Sequence, residues 1–279
     1  MSEADFSAEQ YIRTLEGTNG ISESAIRQAI EELGIEAGCG LDIPCGIGSH
    51  AIWMAERYPQ LEVECADFSP EHVEYARKCA ERKGLCSRLS FNTADMNNLE
   101  YADNSFDFVW CCDGLWPGPV EIGCIAEEPY DILKDLKRIV RPGGTIAVLF
   151  WSSHRILPGY PILEGALNSV PAANIPMTED KPPALHFMSA RSWLTGTGLV
   201  DVRSCTFASD INGPLNEAEL ETMQTFAEMF WGAAESQVSP EVWKKFKEIT
   251  DPDSDCYVFG DPSYAGLITY TMFTGTVPE

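Results

Sequence analysis

The sequence predicts a doubly wound α/β fold around a mostly parallel sheet, and three observations predict it. Short apolar runs alternate with amphipathic helical stretches from about residue 39 to residue 151. A glycine-rich loop joins the first of these runs to the first helix of the series. The fourth and fifth runs are apolar almost throughout, as strands covered on both faces should be. Strands separated by helices pair in parallel through right-handed crossovers.

Residues 1–34 read as helical. A start signal spans Asp5-Phe6-Ser7-Ala8-Glu9-Gln10-Tyr11-Ile12, and good helix formers from Ser22 to Leu33 run into a stop at Gly34. Cys39 to Ile43 is the first strand, and Ser49 to Tyr58 the helix after its loop, closed by Pro59. Leu61 to Ala66 is the second strand. Ser69-Pro70-Glu71 then opens a helix that runs to about Lys83, with Ser as N-cap and Pro in the first turn. Leu89 to Thr93 and Phe106 to Cys112 are strands three and four. Tyr130 to Val140 places Ile132, Leu133, Leu136 and Ile139 on one helical face. Pro142-Gly143-Gly144 is a turn before the fifth strand, Thr145 to Trp151. Beyond it, a short helix is expected near Pro161 to Asn168, another at Ser189 to Thr197, a strand at Leu199 to Ala208, helices over 212–250, and a last strand at Tyr264 to Thr274. The expected organisation is a helical segment over 1–35, a core over 36–208, a helical cap insertion over 209–263, and a final core strand over 264–279.

Composition narrows the function. Lys and Arg total 19 against 43 Asp and Glu, a net charge of −24. That field repels nucleic acid and anionic membrane surfaces, so neither is expected as a partner. It equally serves solubility alone. No run approaches the ~20 apolar residues of a membrane span. The first residues lack the basic and apolar regions of a secretion signal, so a cytoplasmic location is expected. The ten cysteines include no Cys-x-x-Cys pair, and the four histidines show no zinc-ligand spacing. Reduced thiols and no metal are expected.

Function concentrates in the loop Leu41-Asp42-Ile43-Pro44-Cys45-Gly46-Ile47-Gly48-Ser49-His50-Ala51. Glycines between a strand and a helix let a ligand approach bare backbone at the positive end of the helix. Asp67 closes the second strand, where a carboxylate can accept hydrogen bonds from ribose hydroxyls. These two features fit nicotinamide cofactors and S-adenosylmethionine alike. Asp42, just before the loop, favours a cationic ligand end over a pyrophosphate, and Asp95 after the third strand is placed to meet an adenine amino group. Phe106-Asp107-Phe108-Val109 opens the fourth strand, and Arg141-Pro142-Gly143-Gly144 precedes the fifth.

On these motifs the chain resembles the class I S-adenosylmethionine-dependent methyltransferases, especially small-molecule types related to quinone-biosynthesis enzymes, over about residues 36–206. The resemblance implies a Rossmann-like, seven-stranded sheet with the last strand inserted antiparallel. It also implies S-adenosylmethionine as cofactor and transfer of a methyl group to a small molecule. Asp42, Gly46 and Gly48 would hold the amino-acid end of the cofactor. Asp67 would take the ribose, Phe68 would lie against the adenine, Asp95 would bond its amino group beside Met96, and the Cys111 backbone would face the methionine portion. Pro44 stands where the family carries glycine and removes an N–H.

Candidate bases are His154, His186 and Asp113; each also has a plain structural reading. His50 and His72 are expected on helix surfaces or packed near the loop. Trp116, Trp151, Tyr160 and Phe187 are candidate walls of the acceptor pocket, and Tyr11 could close over the cofactor. The stripe Phe226, Phe230, Trp231 is a buried face, against the core or against a second copy in a homodimer. Two other readings stay open: an NAD-dependent oxidoreductase, and a sensor or partner subunit that binds S-adenosylmethionine without turnover.

Overall fold

A computed structural model describes residues 7–119, 124–174, 177 and 181–279. Asp5 and Phe6 of the expected start signal lie outside them. Helix α1 (Ala8–Leu33) is one continuous helix, opened by a reciprocal capping box between Ser7 and Gln10 and closed by Gly34 at φ 69°. There follow β1 (Ala37–Asp42), α2 (Ser49–Arg57), β2 (Gln60–Asp67), α3 (Pro70–Arg82), β3 (Leu89–Thr93), β4 (Phe106–Cys112), α4 (Tyr130–Ile139) and β5 (Val140–Arg155). The chain continues through α5 (Pro161–Asn168), α6 (Ala190–Gly196), β6 (Val200–Asn212), α7 (Glu217–Trp231), α8 (Pro240–Thr250) and β7 (Ala265–Thr276).

The seven strands form one sheet in the order β3-β2-β1-β4-β5-β7-β6. β1 to β5 pair in parallel, while β7 is antiparallel to both its neighbours. The inserted antiparallel strand implied by the resemblance is present. The order reverses beside β1, so the crevice for a ligand opens at the carboxyl ends of β1 and β4.

Side chains alternate between two cores. Phe108, Trp110 and Cys112 of β4 face the layer that contains α1, α2, α3 and α7. Val109 and Cys111 face α4 and α6. Phe226 and Trp231 are fully buried within this single chain, which assigns the α7 stripe to its own core. α1 meets α7 through Gly17, where a Cβ would sit 2.1 Å from Thr222 Oγ1.

Two expectations need correction. Pro142-Gly143-Gly144 is not a turn outside the sheet but an irregularity inside β5. Phe106 pairs with Val140 and Phe108 already with Thr145, so the intervening residues bulge, with Gly143 at φ +80°. β5 also runs four residues past Trp151, because Ser153, His154 and Arg155 keep pairing with β7. His154 therefore lies within the strand and not after it.

Candidate cofactor and acceptor site

β1 ends by aiming Asp42 into the protein. Asp42 is fully buried, and among the described residues neither carboxylate oxygen has a hydrogen-bond partner at full geometry, the Ala51 N–H acting only as a weak backbone neighbour. Burial and the nearby Asp67 carboxylate push its pKa well up, against a smaller opposing pull from the Ala51 amide in the first turn of α2. A buried acid without partners is costly, and such cost concentrates where a ligand completes the site.

The glycine loop divides its labour. Gly46, at φ +51°, donates its N–H to Asp67 Oδ2 at 2.8 Å. Gly48 is the N-cap of α2 at φ 76°. A Cβ there would lie 2.8 Å from Ala76 Cβ in α3, so packing as well as ligand access demands glycine. Pro44 is answered by Gly114 after β4, where a Cβ would fall 2.0 Å from Pro44 Cδ. That pairing lets the loop after β4 pass directly over the proline.

Asp67 is buried at the end of β2. Its Oδ1 accepts from Ser69 N at 2.9 Å and lies 3.2 Å from His72 Nδ1. Phe68 beside it is 74% exposed, a large apolar ring offered to solvent. Asp95 is exposed, with Oδ1 accepting from the Asn97 backbone and side chain. Met96 and Cys111 are buried in the core on the α4 face, and burial pushes the Cys111 thiol far up.

α1 lies across this loop. Leu15 Cδ1 is 3.5 Å from the Cβ position of Gly46, and Asn19 Nδ2 donates to Ser49 Oγ at 3.0 Å. The Tyr11 ring stacks on His72 at 5.2 Å between centroids. His50, in the first turn of α2, accepts at Nδ1 from Trp110 Nε1 at 3.2 Å. Burial lowers its pKa to about 4, so the ring is neutral at physiological pH with its proton on Nε2.

The candidate acceptor residues gather in two groups. Trp116 and Phe187 pack with Phe150, at 4.9 Å and 5.3 Å from the Trp116 ring to Phe187 and Phe150. These rings lie on the α4–α6 face. Trp151 packs with Phe226, Phe230 and Tyr270 on the opposite face. Asp113 bridges them. It is solvent-accessible, and its Oδ1 accepts the Trp151 backbone N–H at 2.8 Å. The side chains of Tyr270 and Trp116 also donate to it, and crowding by protein raises its pKa to about 6. Tyr160 packs against the same core as Trp151, its ring 5.5 Å beneath the Lys245 ammonium near α8.

The two histidine candidates have structural employment. His154 is stacked on Phe230 at 4.3 Å and edged by Trp151 and Trp231, and burial lowers it to about 4. His186 accepts the Met188 N–H at Nδ1, as an N-cap does, and burial lowers it. His72, expected on a helix surface or packed near the loop, is buried against Asp67, and Tyr270, which had no expected place, donates to Asp113. Asp67-Phe68-Ser69-Pro70 carried a signal for His72, since an N-capped helix points its third residue back at the cap. Tyr270 lies far along the chain in β7, and no local pattern identifies it.

The family described as "Methyltransferase domain" matches residues 41–144, the segment that carries the glycine loop, Asp67, Asp95 and Asp113. Methyltransferase GfsG of Streptomyces halstedii is 34% identical over 127 residues, 45% of this chain and 42% of that protein. Demethylmenaquinone methyltransferase of Deinococcus radiodurans is 35% identical over 109 residues, 39% of this chain and 41% of that protein. The chain spans about two fifths of the length of these curated relatives. Among solved structures, a SAM-dependent methyltransferase from Aquifex aeolicus superposes with TM-score 0.50 at 19% identity, covering 72% of this chain and 91% of that one. The [4+2]-cyclase SpnF superposes with TM-score 0.54 at 16% identity, covering 97% and 94%. With the sheet order, the glycine loop and the buried acid at its root, these matches show that residues 41–144 are similar to the methyltransferase-domain family, on a fold shared with those solved structures.

Proposed function

We propose that this chain is an S-adenosylmethionine-dependent methyltransferase acting on a small-molecule acceptor. One observation carries the reading. Asp42 is a buried, unpartnered carboxylate at the root of a bare glycine loop, with Asp67 beside it. A ligand with an ammonium at one end and a ribose at the other answers both groups; a dinucleotide pyrophosphate would meet only repulsion from Asp42. Bound S-adenosylmethionine supplies an electrophilic methyl group on a sulfonium. Asp42 and the glycine loop would hold the amino-acid end. Asp67 would hold the ribose, with Phe68 and Asp95 on the adenine side, Met96 and Cys111 lining the floor, and α1 with Tyr11 excluding water. The protein's work is then alignment and exclusion of solvent.

The acceptor side belongs to Asp113, with Trp116, Phe187 and Trp151 around it. Asp113 is accessible and ionised at neutral pH, so it can take a proton where the acceptor must lose one. His154 and His186, already committed to stacking and capping, are weaker candidates, and Tyr160, on the same core face as Trp151, would stand toward α8. A small-molecule acceptor accords with relatives named norajmaline N-methyltransferase, sterol 24-C-methyltransferase and demethylmenaquinone methyltransferase. No helix among the described residues is long and apolar enough to cross a membrane.

A second reading, cofactor binding without methyl transfer, is favoured by the fold shared with a protein described as a [4+2]-cyclase. Two experiments decide. In calorimetry S-adenosylhomocysteine should bind, and Asp67→Ala should weaken it at least about tenfold, the worth of one hydrogen bond to a charged group. Equal binding by the variant removes Asp67 from the site. Incubation with labelled methyl donor and a metabolite extract should label a small molecule; cofactor binding without label would favour the second reading.

A further inference from the structure

Asp67 is spoken for in the folded chain, and counting its acceptor capacity exposes a conflict. A carboxylate offers about four lone-pair sites. Ser69 N–H at 2.9 Å and His72 Nδ1 at 3.2 Å both address Oδ1, and Gly46 N–H at 2.8 Å addresses Oδ2. Asp67 as a carboxylate has no proton to give, so His72 Nδ1 is the donor. One site remains, yet a ribose grasped through both hydroxyls needs two.

The backbone donors cannot yield. Gly46 lies in the loop that shapes the site, and Ser69 is the N-cap of α3, its Oγ accepting from His72 N. The His72 side chain can yield by rotating about χ1 and χ2. It is buried under Tyr11, whose ring stacks on it at an interplanar angle of 17°. Tyr11 belongs to α1, which also reaches α3 through Tyr75 and Glu16 and the loop helix through Asn19 and Ser49.

We infer that His72 is a cofactor-site residue that holds the ribose position of Asp67 in the free protein and is displaced when the nucleoside binds, passing that displacement to α1 through Tyr11. The inference rests on the cofactor reading above. It assigns His72 a role opposite to that of a supporting residue: its hydrogen bond competes with the ligand. The same bond spares Asp67 an unmet acceptor while no ligand is present, which accounts for a histidine at this buried position.

The test uses two substitutions in the full chain, with S-adenosylhomocysteine as probe. His72→Phe keeps a ring beneath Tyr11 and removes the Nδ1 donor. His72→Asn keeps a donor near the Nδ1 position. Calorimetry should show His72→Phe binding about two- to tenfold tighter than wild type, the range of one ordinary hydrogen bond, and His72→Asn close to wild type. A folding defect would weaken binding in both variants, and circular dichroism and melting curves identify it. In the wild-type protein, the ¹⁵N resonance of His72 Nδ1 should move on saturation with the probe, as its bond to Asp67 breaks. Weaker or unchanged binding by well-folded His72→Phe, or a His72 resonance that does not move, overturns the inference while leaving the cofactor reading intact. Absence of binding by wild type overturns both.

Discussion

Asp42→Asn should make the ligand-free protein more stable and the ligand-bound protein harder to form. Both Asp42 oxygens are buried without partners, with Asp67 close enough to repel a second charge. An unmet buried polar group costs about 1–3 kcal/mol, and a charged one more. The folded chain escapes a buried charge only by taking up a proton at Asp42, and asparagine is neutral without one, so at neutral pH the free protein should gain on the order of 1 kcal/mol. At about 2–4 °C per kcal/mol, melting should rise by about 2–4 °C. The pH dependence has a definite sign. Folding raises the Asp42 pKa, so the folded chain holds a proton that the unfolded chain has released. Wild-type stability therefore falls as pH climbs from the ordinary aspartate value toward the raised one. In Asp42→Asn that part of the decline disappears. The ligand reverses the balance, because an ammonium loses its buried counter-charge. Affinity for S-adenosylhomocysteine should drop about ten- to a hundredfold, at 1.4 kcal/mol per factor of ten. Thermal melts from pH 4 to pH 8, with and without the probe, read both effects. A variant that melts lower when free and keeps the full ligand-induced rise would refute the reasoning.

Gly48→Ala should destabilise by about 1–3 kcal/mol in denaturant unfolding. Its Cβ would meet Ala76 at 2.8 Å from a backbone at φ +76°; an unchanged midpoint would show that α3 can retreat. If Asp113 takes the acceptor's proton, kcat rises as pH passes upward through about 6, where the group ionises. Asp113→Asn should lower kcat and abolish that inflection, and a variant profile with the inflection intact would assign it to another group.

The sheet was readable because its signals are local. Ser69-Pro70 opens α3 and Gly34 closes α1 where capping chemistry requires. β3 and β4 have the bounds that their apolar runs mark. The inserted β7 was legible only through family resemblance, since antiparallel pairing between residues a hundred positions apart leaves no local pattern. The errors have the same origin. Pro142-Gly143-Gly144 reads as a turn, but the pairing of Val140 and Thr145 with β4 on either side of it, and backbone hydrogen bonds of Gly143 and Gly144 to Val277 just after β7, hold it within the sheet. On the proposed cofactor side, the strand-loop-helix grammar fixes where Asp42, Gly46 and Asp67 must stand. On the proposed acceptor side no such grammar exists: Asp113 is surrounded by Trp116, Trp151 and Tyr270, from three separate stretches of chain. Aromatic residues chosen by position alone divided between the two faces of the sheet, Trp116 and Phe187 on one and Trp151 and Tyr160 on the other.

The most direct test is a crystal structure of the complex with S-adenosylhomocysteine. The ammonium nitrogen should lie about 3 Å from an Asp42 oxygen, with the ribose hydroxyls on Asp67. A ligand bound elsewhere, with Asp42 still unpartnered beneath an empty glycine loop, would contradict the account.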